Sequence, residues 1–176
     1  MRVCGASLMF RNEPHGPMIE KLTAMFTEAV KVAAKHDVKL ADENHIDFNS
    51  DEMLALIKAV NSPYFGINFD TGNFMRILDD PIKGMQKLAK HVLATHIKDL
   101  KPNRNASVDD WFFFSTTPVG DGLVNNQKLA QILHDVGYQG FLAVEIDFLH
   151  PDYKDDEDKA VAASVKELRR IASSLK

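Results

Sequence analysis

The sequence predicts an α/β fold in which parallel strands alternate with helices. Short apolar runs that end in turn residues recur along the chain, and such runs are typical of buried strands. The segments between them carry apolar residues at helical spacing, and no tight hairpin turn joins one run to the next. Strands that alternate with helices in this way form a parallel sheet with helices packed outside it. The expected strands lie within residues 2–7, 39–45, 66–73, 92–99 and 141–147.

Helices are expected between these strands, and their ends carry recognisable signals. Asn49 or Ser50 is suited to cap a helix that Asn61-Ser62-Pro63 ends, and Pro81 suits the first turn of the next helix. The longest expected irregular stretch is Leu100–Asp121. The helices are predicted at residues 18–36, 49–60, 81–90, 123–136 and 159–175.

Length and composition fit one globular domain, 1–176. The chain has 176 residues, of which 45% are apolar and 26% charged. Its net charge of −4 does not favour binding to nucleic acid or to an anionic membrane. No apolar run approaches the ~20 residues that span a bilayer. The N-terminus lacks the architecture of a signal peptide. The single cysteine, Cys4, is expected to be a small buried residue, and a cytoplasmic setting is favoured.

Four of the expected strands end in a side chain that can bind a metal. The carboxyl ends of parallel strands emerge on one face, so these side chains are expected to converge there. A single strand-end acid is usually solvated or caps a helix, and a lone His is more often a hydrogen-bonded core residue. Four on successive strands favour a divalent cation instead, with Mn²⁺ or Mg²⁺ preferred by the oxygen ligands and Zn²⁺ or Co²⁺ brought into range by the imidazole. The four residues are Glu43, Asp70, His96 and Glu145.

Other polar residues near these strand ends are candidates for contact with a substrate. His45 either touches a substrate or orders its own loop. Asn73 and Lys98 are placed to hydrogen-bond a substrate hydroxyl or carbonyl group. Asp99 and Arg104 are expected to be structural or solvated.

Five short motifs accompany these residues in a fixed order. They are Glu-Asn-His at 43–45, Phe-Asp-Thr-Gly-Asn at 69–73, Thr-His-Ile-Lys-Asp at 95–99, Val-Gly-Asp-Gly at 119–122, and Gly-Tyr-Gln-Gly at 137–140 followed by Val-Glu-Ile at 144–146. As a set they resemble the sugar phosphate isomerase/epimerase superfamily, the xylose isomerase-like TIM barrels. That family includes ketose 3-epimerases, inosose dehydratases, hydroxypyruvate isomerases and dehydroshikimate dehydratases. The resemblance spans nearly the whole chain.

The resemblance implies a function as well as a fold. In the family the four matching residues bind one divalent cation, and the glutamates that match Glu43 and Glu145 act as an acid/base pair in its epimerases. It implies a metal-dependent isomerase or epimerase that removes a proton α to the carbonyl of a small sugar, sugar phosphate or keto-polyol through an enediolate. The chain departs from those epimerases at Asn73, where they carry His.

Alternative functions remain open beside this one. A dehydratase of a cyclic polyol or a dehydroshikimate-like acid would form the same enolate and expel a β-hydroxyl. A non-catalytic barrel fragment would keep the metal and serve in binding or assembly. An abasic-site endonuclease is disfavoured, because the chain is acidic and lacks the many His ligands of a three-zinc site. The aromatic run 111–114 is either a lid over an apolar sugar face or packing under its loop, and packing is favoured.

The expected barrel is incomplete. Family members usually have eight strands, and the five expected here match strands 4–8, which makes the chain a partial (β/α) TIM barrel that is N-terminally incomplete. Five strands cannot close a barrel, because closure ties strand number to shear. The edge strands at 2–7 and 141–147 would expose backbone and apolar surface, so we expect a homo-oligomer or a complementing barrel fragment as partner.

Overall fold

The computed structural model describes residues 1–154 and 156–176, and in that part of the chain seven strands and six α-helices form. The strands are β1 (Arg2–Val3), β2 (Leu40–Glu43), β3 (Phe65–Asp70), β4 (Val92–Ile97), β5 (Asp99–Pro102), β6 (Phe114–Thr117) and β7 (Ala143–Val144). The helices are α1 (His15–Lys35), α2 (Ser50–Val60), α3 (Asn73–Arg76), α4 (Pro81–Leu88), α5 (Asn126–Asp135) and α6 (Glu157–Ser174). None of these described helices is long and apolar enough to cross a membrane.

Five of the described strands form one parallel, curved half-barrel sheet, in the order β1-β2-β3-β4-β7. The predicted α/β fold and its two edge strands are confirmed. Both edge strands are two residues long, shorter than predicted, because each pairs with a described strand on one side alone. Cys4 directly follows β1 at this edge and is exposed, so the expectation that it is buried is wrong.

A short antiparallel ribbon replaces part of the predicted irregular stretch. β5 pairs with β6, from Asp99 opposite Thr117 to Pro102 opposite Phe114. The prediction for residues 100–121 is therefore wrong at β5 and β6. The aromatic and β-branched residues of β6 favour a strand, but residues 103–113 separate it from β5 and no hairpin turn marks the pair.

Helix ends follow the predicted signals. The side chain of Asn49 accepts hydrogen bonds from the backbone N–H groups of Asp51 and Glu52, and the Glu52 side chain accepts one from the Asn49 N–H, which forms a capping box. α2 ends before Asn61, which adopts the left-handed conformation of a helix C-cap. α3 was not predicted, because four residues are too few for a periodic pattern.

The two faces of the sheet differ in chemistry. Along β3, Phe65, Ile67 and Phe69 belong to the main buried core, which packs the outer face against α1, α2, α4 and α5. Alternate residues of a strand point to opposite faces, so Gly66 and Asn68 lie on the inner face. Small and polar side chains on that face leave room for a site where the strands end.

Asp99 anchors the loop that follows β6. Its buried carboxylate accepts hydrogen bonds from the backbone N–H groups of Gly120, Gly122 and Val124 at 2.9, 3.1 and 2.8 Å. A Cβ atom on Gly122 would lie 2.2 Å from Asp99 Oδ1. The Val-Gly-Asp-Gly motif therefore reflects the close approach of this loop to a buried carboxylate, and the expectation of a structural Asp99 is confirmed.

Replacing Gly122 with Ala should destabilise the protein by about 1–3 kcal/mol, because the new methyl group overlaps Asp99 Oδ1. The measurement is the free energy of unfolding in urea. Gly16→Ala is the matched control, since a Cβ there meets no atom within 4 Å and the residue lies in α1. Equal stability of the two variants would contradict the contact.

Asp42 is a second buried carboxyl group, on the outer face of β2. Its Oδ1 accepts a hydrogen bond from the Gly5 N–H at 2.8 Å, and its residue is 1% exposed. Burial, with a further contribution from the charge of Asp47, raises the pKa of Asp42 to about 7. Because the folded-state pKa lies above the unfolded value, the ionised group costs stability increasingly as the pH rises from about 4 to 7.

We expect Asp42→Asn to stabilise the protein relative to wild type by an amount that grows by on the order of 2–3 kcal/mol between pH 4.5 and 7.5. The amide oxygen can still accept the Gly5 hydrogen bond. Urea unfolding at both pH values measures the difference, and Asp109→Asn, at an exposed position, is the control. A pH-independent difference would show that Asp42 ionises normally.

Candidate metal centre

The ends of the parallel strands bring four side chains together. Strand register places Asp70 beside His96, and Glu43 ends the neighbouring strand β2. Glu145 follows β7, where its N–H donates to the carbonyl of Ile97 at 3.0 Å. Each of the four offers one ligand atom, and these atoms lie within 4.8 Å of one another. The structure thus brings together all four residues that the sequence proposes as metal ligands.

Three atoms of this cluster are buried without a hydrogen-bond partner among the described residues. They are Asp70 Oδ2, His96 Nδ1 and Glu145 Oε2. His96 Nδ1 lies 3.1 Å from Glu145 Oε2, but their alignment does not make a hydrogen bond. Buried polar atoms left without partners are costly. Oxygen and nitrogen atoms in this state fit a divalent cation as the missing partner.

Neighbouring backbone groups orient Asp70 toward the cluster. Its Oδ1 accepts hydrogen bonds from the N–H groups of Gly72 and Asn73 at 2.8 and 2.9 Å. The Asn44 side chain clamps the backbone of Asp70 through both its N–H and its carbonyl, at 2.8 and 3.0 Å. Oδ2 is thereby left to face the centre. The role of Asn44 was missed, although it lies inside the Glu-Asn-His motif.

Lys98 reaches into the same cluster. Its ammonium lies 3.0 Å from Asp70 Oδ2, 2.9 Å from Glu145 Oε2 and 2.8 Å from Asp147 Oδ2, and its side chain is 2% exposed. Burial alone would lower the pKa of Lys98, but the charges of Asp70 and then Asp147 outweigh it and hold the pKa above its ordinary value. Lys98 is therefore a buried cation in an acidic centre.

Sequence reasoning missed an ion pair beside Lys98, between the buried Arg76 and Asp147, whose side chain is 24% exposed. The Arg76 guanidinium grips both oxygens of Asp147, at 2.5 and 2.9 Å, and Thr116 donates to one of them. These cations hold the pKa of Asp147 well below its usual range despite burial. Asp147 stands two positions after Glu145 and both carboxylates contact Lys98, so that spacing is the signal that could have found it.

Charged neighbours shift the titration of the remaining groups. The carboxylates of Glu145 and then Glu43, 3.1 and 3.5 Å from His96 Nδ1, raise the pKa of His96 to about 9. Burial alone would raise the pKa of Glu145, but His96 and then Lys98 hold it well below its usual range. Complete burial raises the pKa of Asp70 against the pull of Lys98. In the metal-free centre His96 is therefore a cation at neutral pH.

The other predicted contact residues occupy different settings. Asn73 is buried, and its Oδ1 accepts a hydrogen bond from Arg76 at 3.1 Å. His45 is half-buried, its Nδ1 has no partner among the described residues, and its N–H donates to Asp47 Oδ1 at 3.1 Å, which orders the loop. Arg104 is exposed.

The aromatic run mostly lies outside the core. Trp111 and Phe112 pack against Phe148 at ring distances of 5.8 and 4.6 Å, and Arg76 lies 5.0 Å over the Trp111 ring. Phe114 is the member of the run that packs on the main core. The favoured expectation of core packing is therefore wrong for Trp111 and Phe112, which pack on Phe148, and the Trp111 ring lies against Arg76.

Comparison with known proteins identifies the family. The model of the xylose isomerase-like TIM barrel matches residues 4–171. The chain belongs to the xylose isomerase-like TIM barrel family. The expected family and the partial barrel are both confirmed.

Two curated proteins that the chain matches carry the names of carbohydrate enzymes. The chain is 27% identical over 127 residues to a 3-oxo-isoapionate decarboxylase of Pectobacterium atrosepticum, a match that covers 71% of the chain and 45% of the relative. It is 29% identical over 122 residues to the L-ribulose-5-phosphate 3-epimerase UlaE of Escherichia coli, which covers 68% of the chain and 40% of the relative. The matches thus span less than half the length of each relative.

Solved structures share the fold. A xylose isomerase domain protein from Planctomyces limnophilus superposes with a TM-score of 0.76 at 24% identity, covering 99% of this chain and 59% of that one. Two neighbours were solved with metals. The IOLI protein with a zinc atom has a TM-score of 0.69 at 17% identity and covers 93% and 59% of the two chains. A Mycobacterium smegmatis xylose isomerase-like TIM barrel protein with magnesium has a TM-score of 0.59 at 18% identity and covers 85% and 51%.

Binding of a divalent cation to this cluster should release about one proton per ion at pH 7.5, because protonated His96 must lose its proton to become a ligand. Apparent affinity should accordingly rise as the pH approaches 9. Titration of the metal-free protein with Mn²⁺ in weak buffer containing a pH indicator measures the release.

His134→Gln, which replaces a half-exposed histidine of α5, should leave the proton count unchanged, and His96→Gln should remove the release. Metal binding by wild type without proton release would contradict a cationic His96.

Proposed function

We propose that the chain is the metal-binding part of an isomerase or epimerase that acts on a small sugar, sugar phosphate or keto-polyol. The observation that carries the proposal is the convergence of Glu43, Asp70, His96 and Glu145 within 4.8 Å, with three of their atoms buried and without a hydrogen bond among the described residues. The name of the epimerase relative supports the reaction class. Because the chain spans only part of such relatives, the activity of the whole enzyme is part of the proposal.

These four residues would hold the cation, with Mn²⁺ or Mg²⁺ preferred and Zn²⁺ or Co²⁺ as the other candidates. When bound, the ion supplies Lewis-acid stabilisation of negative charge on substrate oxygens. The neighbours solved with zinc and magnesium support a divalent ion in this fold. Zinc and magnesium were found in those two proteins, and the native ion of this chain is to be measured.

Glu43 and Glu145 are proposed as the acid/base pair. Both carboxylates lie near His96 Nδ1, at 3.5 and 3.1 Å, so a substrate seated there would lie within reach of both. One carboxylate removes the proton α to the carbonyl, and the other returns a proton to the opposite face or to the adjacent carbon. Their pKa values lie below the ordinary value, which keeps both ionised as bases in the metal-free centre.

His45, Asn73 and Lys98 are proposed as substrate contacts. The unpartnered Nδ1 of His45 supports this for that residue. Asn73 Oδ1 already accepts from Arg76, so its remaining amide N–H group would be the one to contact a substrate oxygen. The Lys98 ammonium lies between carboxylates, so we propose that it contacts a substrate oxygen that reaches the centre of the cluster.

A decarboxylase is the second candidate, because one curated relative bears that name. Loss of CO₂ from a 3-oxo acid leaves an enolate, which the same centre would stabilise and then protonate. A dehydratase would expel a β-hydroxyl from a similar enolate. Products distinguish the three: an isomer, CO₂ or water.

The open edges of the half-barrel support a proposed partner. Met1 beside β1 and Phe141 beside β7 are 71% and 89% exposed. We propose that further βα units, from a second copy or a complementing piece, cover these edges. Carbohydrate substrate, rather than nucleic acid or membrane, is the proposed small-molecule partner, and the cytoplasm is the proposed setting.

Elemental analysis and solvent-deuterium exchange test this function. Wild type supplied with Mn²⁺ should hold about one ion per chain and exchange substrate α-protons in a screen of ketoses, inososes and keto acids. Glu145→Gln should lose ion occupancy and slow exchange at least about 100-fold, because one carboxylate serves as both ligand and base. Glu28→Gln, at an exposed position, is the control.

Circular dichroism should show that both variants keep the fold. Bound metal with no exchange from any substrate would favour the non-catalytic fragment. Absence of metal from wild type would overturn the proposal.

A further inference from the structure

The ammonium of Lys98 already neutralises part of the centre that a dication would enter. It lies 3.0 and 2.9 Å from Asp70 Oδ2 and Glu145 Oε2, and both oxygens are among the candidate ligand atoms. A carboxylate oxygen that contacts an ammonium and a metal ion at the same time attracts the metal ion less strongly than a free carboxylate oxygen would. The two cations also repel each other across a buried site, where screening is weak.

The position of Lys98 is fixed along its whole length. Its stem packs against the backbone of Gly72, where an added Cβ would lie 2.6 Å from Lys98 Cγ. Its N–H donates to Thr71 Oγ1 at 3.0 Å, and its carbonyl accepts from the Thr71 hydroxyl at 2.9 Å. The ammonium cannot swing into solvent without breaking this packing, so it remains at the centre when a dication arrives.

Asp147 provides the third carboxylate contact of the Lys98 ammonium. Its Oδ2 lies 2.8 Å from Lys98 Nζ, and Asp147 is not one of the four candidate ligands. Arg76 and Thr116 hydrogen-bond the Asp147 carboxylate and hold it in place. The residue after Asp147 is also fixed to β6, because the Thr116 N–H donates to the Phe148 carbonyl at 2.7 Å. Asp147 therefore keeps Lys98 near the centre.

We propose that Lys98 is an internal counter-cation that stabilises the metal-free centre and lowers its affinity for divalent ions, with Asp147 as the residue that positions it. The inference rests on the metal site of the proposed function but not on the reaction. It concerns a binding equilibrium. A lysine that merely supported the fold or the ligand geometry would have the opposite effect on affinity, because its removal would loosen the site.

The test compares Mn²⁺ binding by wild type and Lys98→Gln, which removes the charge and keeps a hydrogen-bond donor. Lys98→Gln should bind Mn²⁺ about 10- to 100-fold more tightly, because the repulsion between two buried cations is gone. Its metal-free form should unfold at a lower temperature in EDTA than wild type, because Asp70, Glu145 and Asp147 each lose a cationic neighbour. Calorimetric titration measures affinity, and the fluorescence of Trp111, the single tryptophan, gives a second readout.

Lys101→Gln is the matched control, since Lys101 pairs with Asp152 away from the centre, and it should leave the Mn²⁺ affinity unchanged. If Lys98→Gln is recovered only with Mn²⁺ present, the rise of its unfolding midpoint with Mn²⁺ concentration gives the affinity instead. Equal or weaker binding by Lys98→Gln, with wild type still binding, would overturn this inference and leave the proposed function standing. Absence of binding by both proteins would overturn the metal site itself.

Discussion

The structure depends on the balance of charge where the parallel strands end. Glu43, Asp70, Glu145 and Asp147 come within a few ångströms of one another in a largely buried site. Carboxylates cannot share such a place without cations, because burial and mutual repulsion both oppose ionisation. The chain supplies Lys98 and Arg76 from within, and the raised pKa of His96 adds a proton in the absence of metal. The identity and positions of the surrounding residues follow from this need.

Within each strand, different residues pack the core and supply the charged site. Residues on the outer face, such as Ile67 and Phe69, bury apolar surface against helices. The last residue of the same strand, Asp70, then turns its carboxylate inward, and the following turn binds one of its oxygens through the N–H groups of Gly72 and Asn73. Packing and chemistry are thus carried by alternate residues of one short segment.

The fold and the four converging residues could be predicted because their signals are local. An apolar run, a polar end and a turn are all visible within a few residues, and four repeats of that pattern define one face of a parallel sheet. The antiparallel ribbon of β5 and β6 could not be read this way, because residues 103–113 separate its strands. The Arg76–Asp147 pair joins residues 71 positions apart, and although the spacing from Glu145 points to Asp147, no local pattern marks Arg76 as its partner.

The same distinction explains why the aromatic run was misassigned. From sequence, Trp111 and Phe112 are large apolar residues in a loop, and core packing is the usual fate of such residues. What decides their position is Arg76, whose buried charge needs Asp147 on one side and accepts the Trp111 ring on the other. The Arg76 side chain beneath this ring is 1% exposed, and low exposure strengthens its interaction with Asp147. Since Asp147 in turn contacts Lys98, the Trp111 ring is linked through Arg76 to the electrostatics of the centre rather than to the core.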